Sequence, residues 1–124
     1  MMGKQIEIKW QNESEKQDFP SAGSYLCLLY GNKTVKVIVG KLKTAPVSQF
    51  KAKDIFRASE LSLLGVSNSH LEKDRKKIKD GQPLSPILLV RDKRNGKVII
   101  ADGYHRMCAV YSYNEDELIP CKIV

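Results

Sequence analysis

The sequence predicts an α/β (α+β) protein, a small mixed β-sheet with flanking helices, on three observations. Ile87-Leu88-Leu89-Val90 is a wholly apolar run, as expected of a strand covered on both faces. A polar stretch from Asp92 to Gly96 separates it from a second run, Lys97 to Ala101. This is the layout of a hairpin in which Asn95-Gly96 supplies the positive-φ positions. The second run stops at Asp102-Gly103, and a helical pattern starts at once, from about Tyr104 to Tyr113.

The remaining elements follow in chain order. Residues 1 to 17 are polar after a short Ile6-Glu7-Ile8 alternation and read as a loose arm or short element. Asp18 is placed to cap a helix with Pro20 in its first turn, with Tyr25, Leu26, Leu28 and Leu29 as its apolar face and Gly31 as its end. Val35, Ile38, Val39 and Leu42 share a face at helical spacing, although Val35, Val37 and Val39 also alternate as in a strand. Thr34 as a cap and a basic last turn favour the helix, which Ala45-Pro46 ends. Val47 to Lys51 is a short strand or extended link, Ala52 to Ser59 a short helix, and Leu61 to Gly65 a loop that buries its leucines. Ser69-x-x-Glu72 is a capping box opening a helix with Leu71, Arg75 and Ile78 on one face, and Gly81 stops it. Ile119 to Val124 closes the chain as a strand.

Composition narrows the class. A chain of 124 residues makes one domain, or one domain with a helical extension. Its 42% hydrophobic and 28% charged content is that of a folded globular protein rather than a disordered one. No apolar run reaches the roughly 18 residues of a membrane span, and the N-terminus has no signal-peptide core, so a cytoplasmic protein with no membrane partner is expected. Cys27, Cys108 and Cys121 are odd in number and sit in apolar patterns, which predicts buried, reduced thiols. A net charge of +7 favours an anionic partner without choosing between nucleotide and nucleic acid. The Lys73 to Lys79 cluster reads as a solvated basic helix face, or else as a nucleic-acid patch.

The chemistry is expected at Asp102 to Arg106. A strand that ends in glycine and turns into a helix aims free backbone N–H groups at one spot, which attracts phosphate. Arg106 adds a bidentate fork and His105 a second donor. A first-turn cation opposes the helix dipole, and a bound phosphate would offset that. Asp102 is a candidate proton acceptor or ligand for a nucleotide-borne Mg²⁺, with an N-cap role as its structural alternative. His105 is a candidate proton carrier. Gly103 supplies close backbone approach or positive φ, and Tyr104 stacks on a base or packs. Ser85 and Arg57 are further candidates for phosphate contact. His105-x-x-Cys108 with Cys121 lacks a second paired motif, so no metal site is assigned.

Gly103-x-x-Arg106-x-x-Ala109, set between a strand and a helix, resembles the second motif of the ParB/sulfiredoxin superfamily. Asp102-Gly103-x-His105-Arg106 is similar to the form found in its nucleotide-binding and kinase-like members. The resemblance covers residues 61 to 124: helix, Gly81, Pro-flanked strand, Asn-Gly hairpin, strand, Gly-x-x-Arg helix, closing strand. It implies a ParB/sulfiredoxin-like core for 61 to 124. Residues 1 to 60 have no counterpart in it, and a mild composition shift near residue 60 marks them as a helical N-terminal extension packed on that core. It also implies a nucleotide, with or without Mg²⁺, at the turn, and leaves phosphotransfer or hydrolysis open. Tyr104 stands where sulfiredoxin has its catalytic cysteine, so sulfinic-acid reduction is not implied. ParB proteins carry acidic-then-basic residues at the positions of Tyr104-His105 and DNA-binding and dimerisation domains downstream, so partition activity is not implied either. Two alternatives stay open: a nucleic-acid-binding or nuclease-like protein, and a non-catalytic interaction module. The sequence assigns no oligomeric state.

Overall fold

A computed structural model describes residues 7–62 and 69–124. In order, the elements are α1 (Asp18–Leu26), α2 (Asn32–Thr44), β1 (Val47–Lys51), α3 (Ala52–Ser59), α4 (Ser69–Lys79), β2 (Ile87–Asp92), β3 (Lys97–Asp102), α5 (Tyr104–Tyr113) and β4 (Leu118–Ile123). This is the expected α/β class. The four strands form one mixed sheet in the order β1-β4-β2-β3. β1 is antiparallel to β4 with Ser48 opposite Cys121, β2 and β4 are parallel with Ile87 opposite Cys121, and β2 and β3 form the hairpin.

Helices cover both faces. Alternate residues of the central strands point to opposite sides, so Leu88, Val90, Ile99 and Ala101 meet Ala22, Leu26, Val35 and Leu42 of α1 and α2. Ile87, Leu89, Ile100, Ile119 and Cys121 meet Ala52, Ile55, Leu71, Ile78 and the Met107–Val110 run of α3, α4 and α5. The wholly apolar β2 is explained by this two-sided burial.

The N-terminal region is tied into the sheet. Residues 47–51 form its edge strand beside β4. The described part of the arm is anchored at residues 9–11: Trp10 bridges Leu84 in parallel, Leu84 N–H donates to Lys9 O at 2.9 Å, and Gln11 N–H to Leu84 O at 2.7 Å. Of the Ile6-Glu7-Ile8 alternation, Ile6 lies outside the described residues, Glu7 is exposed and Ile8 is buried.

Several local expectations are corrected. α1 ends at Leu26, so only Leu26 of its expected apolar face is buried, and Leu28 is 80% exposed. α2 is a helix, but Gly31 occupies its N-cap position and Thr34 lies inside it. In the hairpin only Gly96 takes positive φ, at 64°. Asn95 instead donates from its backbone to Asp92 O at 3.2 Å and from Nδ2 to Asp92 Oδ2 at 2.8 Å, closing the turn with one backbone and one side-chain bond. Leu61 is exposed, while Leu63, Leu64 and Gly65 lie outside the described residues. Cys108 and Cys121 are buried as expected, but Cys27 sits past the end of α1 and is exposed. Among the described residues no helix is long and apolar enough to cross a membrane.

Candidate functional site

β3 hands the chain to α5 through Gly103, whose φ is 104°. That left-handed backbone suits glycine, and space demands it as well. A Cβ there would lie 2.8 Å from Arg106 Nη2 and 2.8 Å from Ile87 Cγ1. The glycine therefore serves the packing of the turn.

The N–H groups of Tyr104, His105 and Arg106 open the helix with no acceptor among the described residues. Asp102 does not cap them. Its Oδ2 accepts from Arg106 Nη2 at 3.0 Å. Arg106 Nη2 also donates to Pro86 O at 3.4 Å, and Arg106 Nη1 lies 3.8 Å from Asp18 Oδ1. The Arg106 side chain is 17% exposed and that of Asp18 is 5% exposed. The fork expected to hold phosphate is thus turned onto two carboxylates. The physical reason is the helix dipole: a cation in the first turn needs an anion beside it, and Asp18 and Asp102 supply two. Arg106 Nε is buried without a partner among the described residues.

Burial, and then the like charge of Asp18, push the Asp102 carboxyl up to about 6, although Arg106 opposes both. Asp18 is the first residue of α1 rather than its cap. The Glu15 N–H donates to Asp18 Oδ2 at 2.9 Å, which turns the carboxylate inward.

A cleft lies beside this cluster, lined by Asp102, Gly103, Tyr104, His105 and Arg106 on one side and by His70, Lys73, Asp74 and Lys77 of α4 on the other, with a volume of 260 Å³. The α4 residues lie three, four and seven positions from His70, one face of a helix. The His70 and His105 rings approach to 4.9 Å between centroids, and Tyr104 and His105 to 5.7 Å. Burial and the neighbouring His70 hold the His105 imidazole below its ordinary range, against the pull of Asp74. Burial raises the Asp74 carboxyl, with Arg106, Lys77, His105 and His70 opposing. The Tyr104 hydroxyl donates to Ser62 O.

The structure places Asp102, Gly103, Tyr104, His105 and Arg106 in the lining of one cleft. It does not bring the other two candidates to the cleft. Ser85 is 4% exposed and absent from the lining, and Arg57 is exposed on α3. Sequence reasoning missed Asp18 as a partner of Arg106, and His70, Lys73 and Lys77 as a wall. A signal existed for the wall, since the capping box fixed the start of α4 and His70-x-x-Lys73-x-x-x-Lys77 is a helical stripe. Among the described residues no group of three or more His, Cys, Asp or Glu is placed to hold a metal ion. Comparison of the chain with protein-family models, with curated proteins and with solved structures gave no match.

Proposed function

We propose that the chain binds a phosphorylated ligand, a nucleotide foremost, in the cleft between α4 and α5. One observation carries the reading. Tyr104, His105 and Arg106, whose first-turn amides have no acceptor among the described residues, line the same cleft as His70, Lys73 and Lys77. Amides at a helix start and flexible ammonium groups are the two devices that bind phosphate without demanding a fixed fork. Arg106 acts behind them, fixing the turn through Asp18 and Asp102. The aromatic rings of His70, His105 and Tyr104 give a base a surface on which to lie. A nucleotide-borne Mg²⁺ would find Asp74 and Asp102 as the carboxylates of the lining.

The Asp102 carboxyl, pushed up to about 6, and the His105 imidazole, held below its ordinary range by burial and His70, are the proton-exchanging groups of the cleft, which supports phosphotransfer or hydrolysis beyond binding. The resemblance of residues 61–124 to the ParB/sulfiredoxin superfamily supports the same site, and such a nucleotide-dependent role belongs in the cytoplasm. The test is a thermal-shift series with ATP, ADP, CTP and GTP, each with and without Mg²⁺. Ligand at about 100 times its Kd stabilises the fold by about 2.7 kcal/mol. At least one nucleotide should raise the Tm, and Lys73→Ala/Lys77→Ala should abolish the rise. No shift with any of the four contradicts the proposal.

A further inference from the structure

Lys73 lines two depressions. One is the cleft already described. The other lies on the far flank of α4, between Ser69, Glu72, Arg75, Lys76 and Lys79. Lys73 joins the two, so a lysine-rich surface, with Asp74 in one depression and Glu72 in the other, runs from the start of α5 over Lys77 and Lys73 to Lys76 and Lys79.

Most of its charge is uncommitted. Lys73, Lys76, Lys77 and Lys79 are exposed, and none has a carboxylate within ion-pair distance among the described residues. Arg75 differs, lying 4.4 Å from the Tyr113 ring centroid and 3.8 Å from Glu72. Lysines three and four positions apart repel on a helix surface. The helix dipole favours Lys76, Lys77 and Lys79 in the last turn. It does not account for Lys73, nor for the alignment of the stripe with the open amides of α5.

One phosphate in the cleft leaves Lys76 and Lys79 without a partner. A ligand with several phosphates in a row would neutralise the whole stripe. Side chains three or four apart on a helix stand about 5–6 Å from each other at Cβ, within reach of successive phosphates of one strand. The His70, His105 and Tyr104 rings at the same edge suit unpaired bases, which stack without regard to sequence.

We propose that the α4–α5 face binds a single-stranded nucleic acid, one phosphate seated at the α5 start with Lys73 and Lys77 and the next ones on Lys76 and Lys79. The inference rests on the phosphate site proposed above and extends it from mononucleotide to polynucleotide.

The experiment measures anisotropy of labelled 12-mer oligo-dT, oligo-U and a duplex of equal length across a salt series, beside calorimetric titration of the nucleotide that gives the largest thermal shift. Lys76→Gln/Lys79→Gln is compared with wild type, with melting curves of both. The variant should lose about tenfold or more in affinity for the single strands. Its salt slope should flatten by about 1.4, from the loss of two phosphate contacts at about 0.7 each. Its mononucleotide affinity should not change. Unchanged affinity of this variant for the single strands overturns the inference while leaving the nucleotide reading intact. Absence of single-strand binding at low salt, or tighter binding of the duplex, overturns it as well.

Discussion

On one side of the α5 start a guanidinium meets two carboxylates; on the other, lysines face solvent. Arg106, Asp18 and Asp102 are drawn inward and hold β3, α5 and α1 together. Lys73 and Lys77 stand across the cleft with no carboxylate in ion-pair contact among the described residues. The difference separates a charge used to build the turn from charges left to bind something. The most conspicuous residue of the motif, Arg106, belongs to the first group, and the lysines of the proposed binding surface come from a neighbouring helix.

The contrast is broken most sharply at Arg106. Arg106→Ala leaves Asp18 and Asp102 facing each other without a cation. Removing one partner of a buried ion pair costs about 3–5 kcal/mol, and urea denaturation should show a loss of that size. A loss under about 1 kcal/mol would mean that the guanidinium is not structural.

Gly103→Ala comes next, because φ is 104° and the added Cβ meets Ile87 and Arg106 at 2.8 Å. The same denaturation should show a loss of about 1–3 kcal/mol. A neutral result would mean that the turn relaxes freely.

The third test uses pH. Asp102 is raised from 3.8 to about 6 in the fold. A raised carboxyl contributes stability that is full below its unfolded pKa and is lost as pH rises through the folded value. Wild type should therefore lose stability relative to Asp102→Asn between pH 4 and pH 7. Discounted for partial exposure, the change is about 1–2 kcal/mol. Parallel curves for the two proteins would contradict it.

The smallest expected effect is on the open side. Lys73→Ala/Lys77→Ala should alter stability by no more than about 0.5 kcal/mol, since surface substitutions away from buried contacts rarely do more. A large loss would place these lysines with Arg106 as structural charges.

The turn itself was legible because its signals are local. An apolar strand, a glycine and a helical pattern in sequence give β3, Gly103 and α5, and the two-sided burial of β2 follows from its unbroken apolar run. The partner of Arg106 was not legible. Asp18 near Pro20 has the local look of a helix cap, and nothing in its neighbourhood announces contact with a residue in the last third of the chain. The same holds for the pairing of Trp10 with Leu84 and of β1 with β4, which are set by packing between distant segments. The expected face of α1 failed because periodicity ran on past Leu26, where the helix ends and Leu28 turns to solvent. Lys73 and Lys77 were visible as a cluster, but only the placement of α4 beside α5 gives them a cleft.

The most direct measurement of the proposed phosphate site is an NMR titration of the ¹⁵N-labelled protein with inorganic pyrophosphate, following the backbone amides of Tyr104, His105 and Arg106. The account predicts that these three move together and saturate, along with His70, Lys73 and Lys77, and that Lys73→Ala/Lys77→Ala suppresses the movement. Saturable shifts elsewhere on the surface with these amides still, or no saturable shift at all, would contradict it.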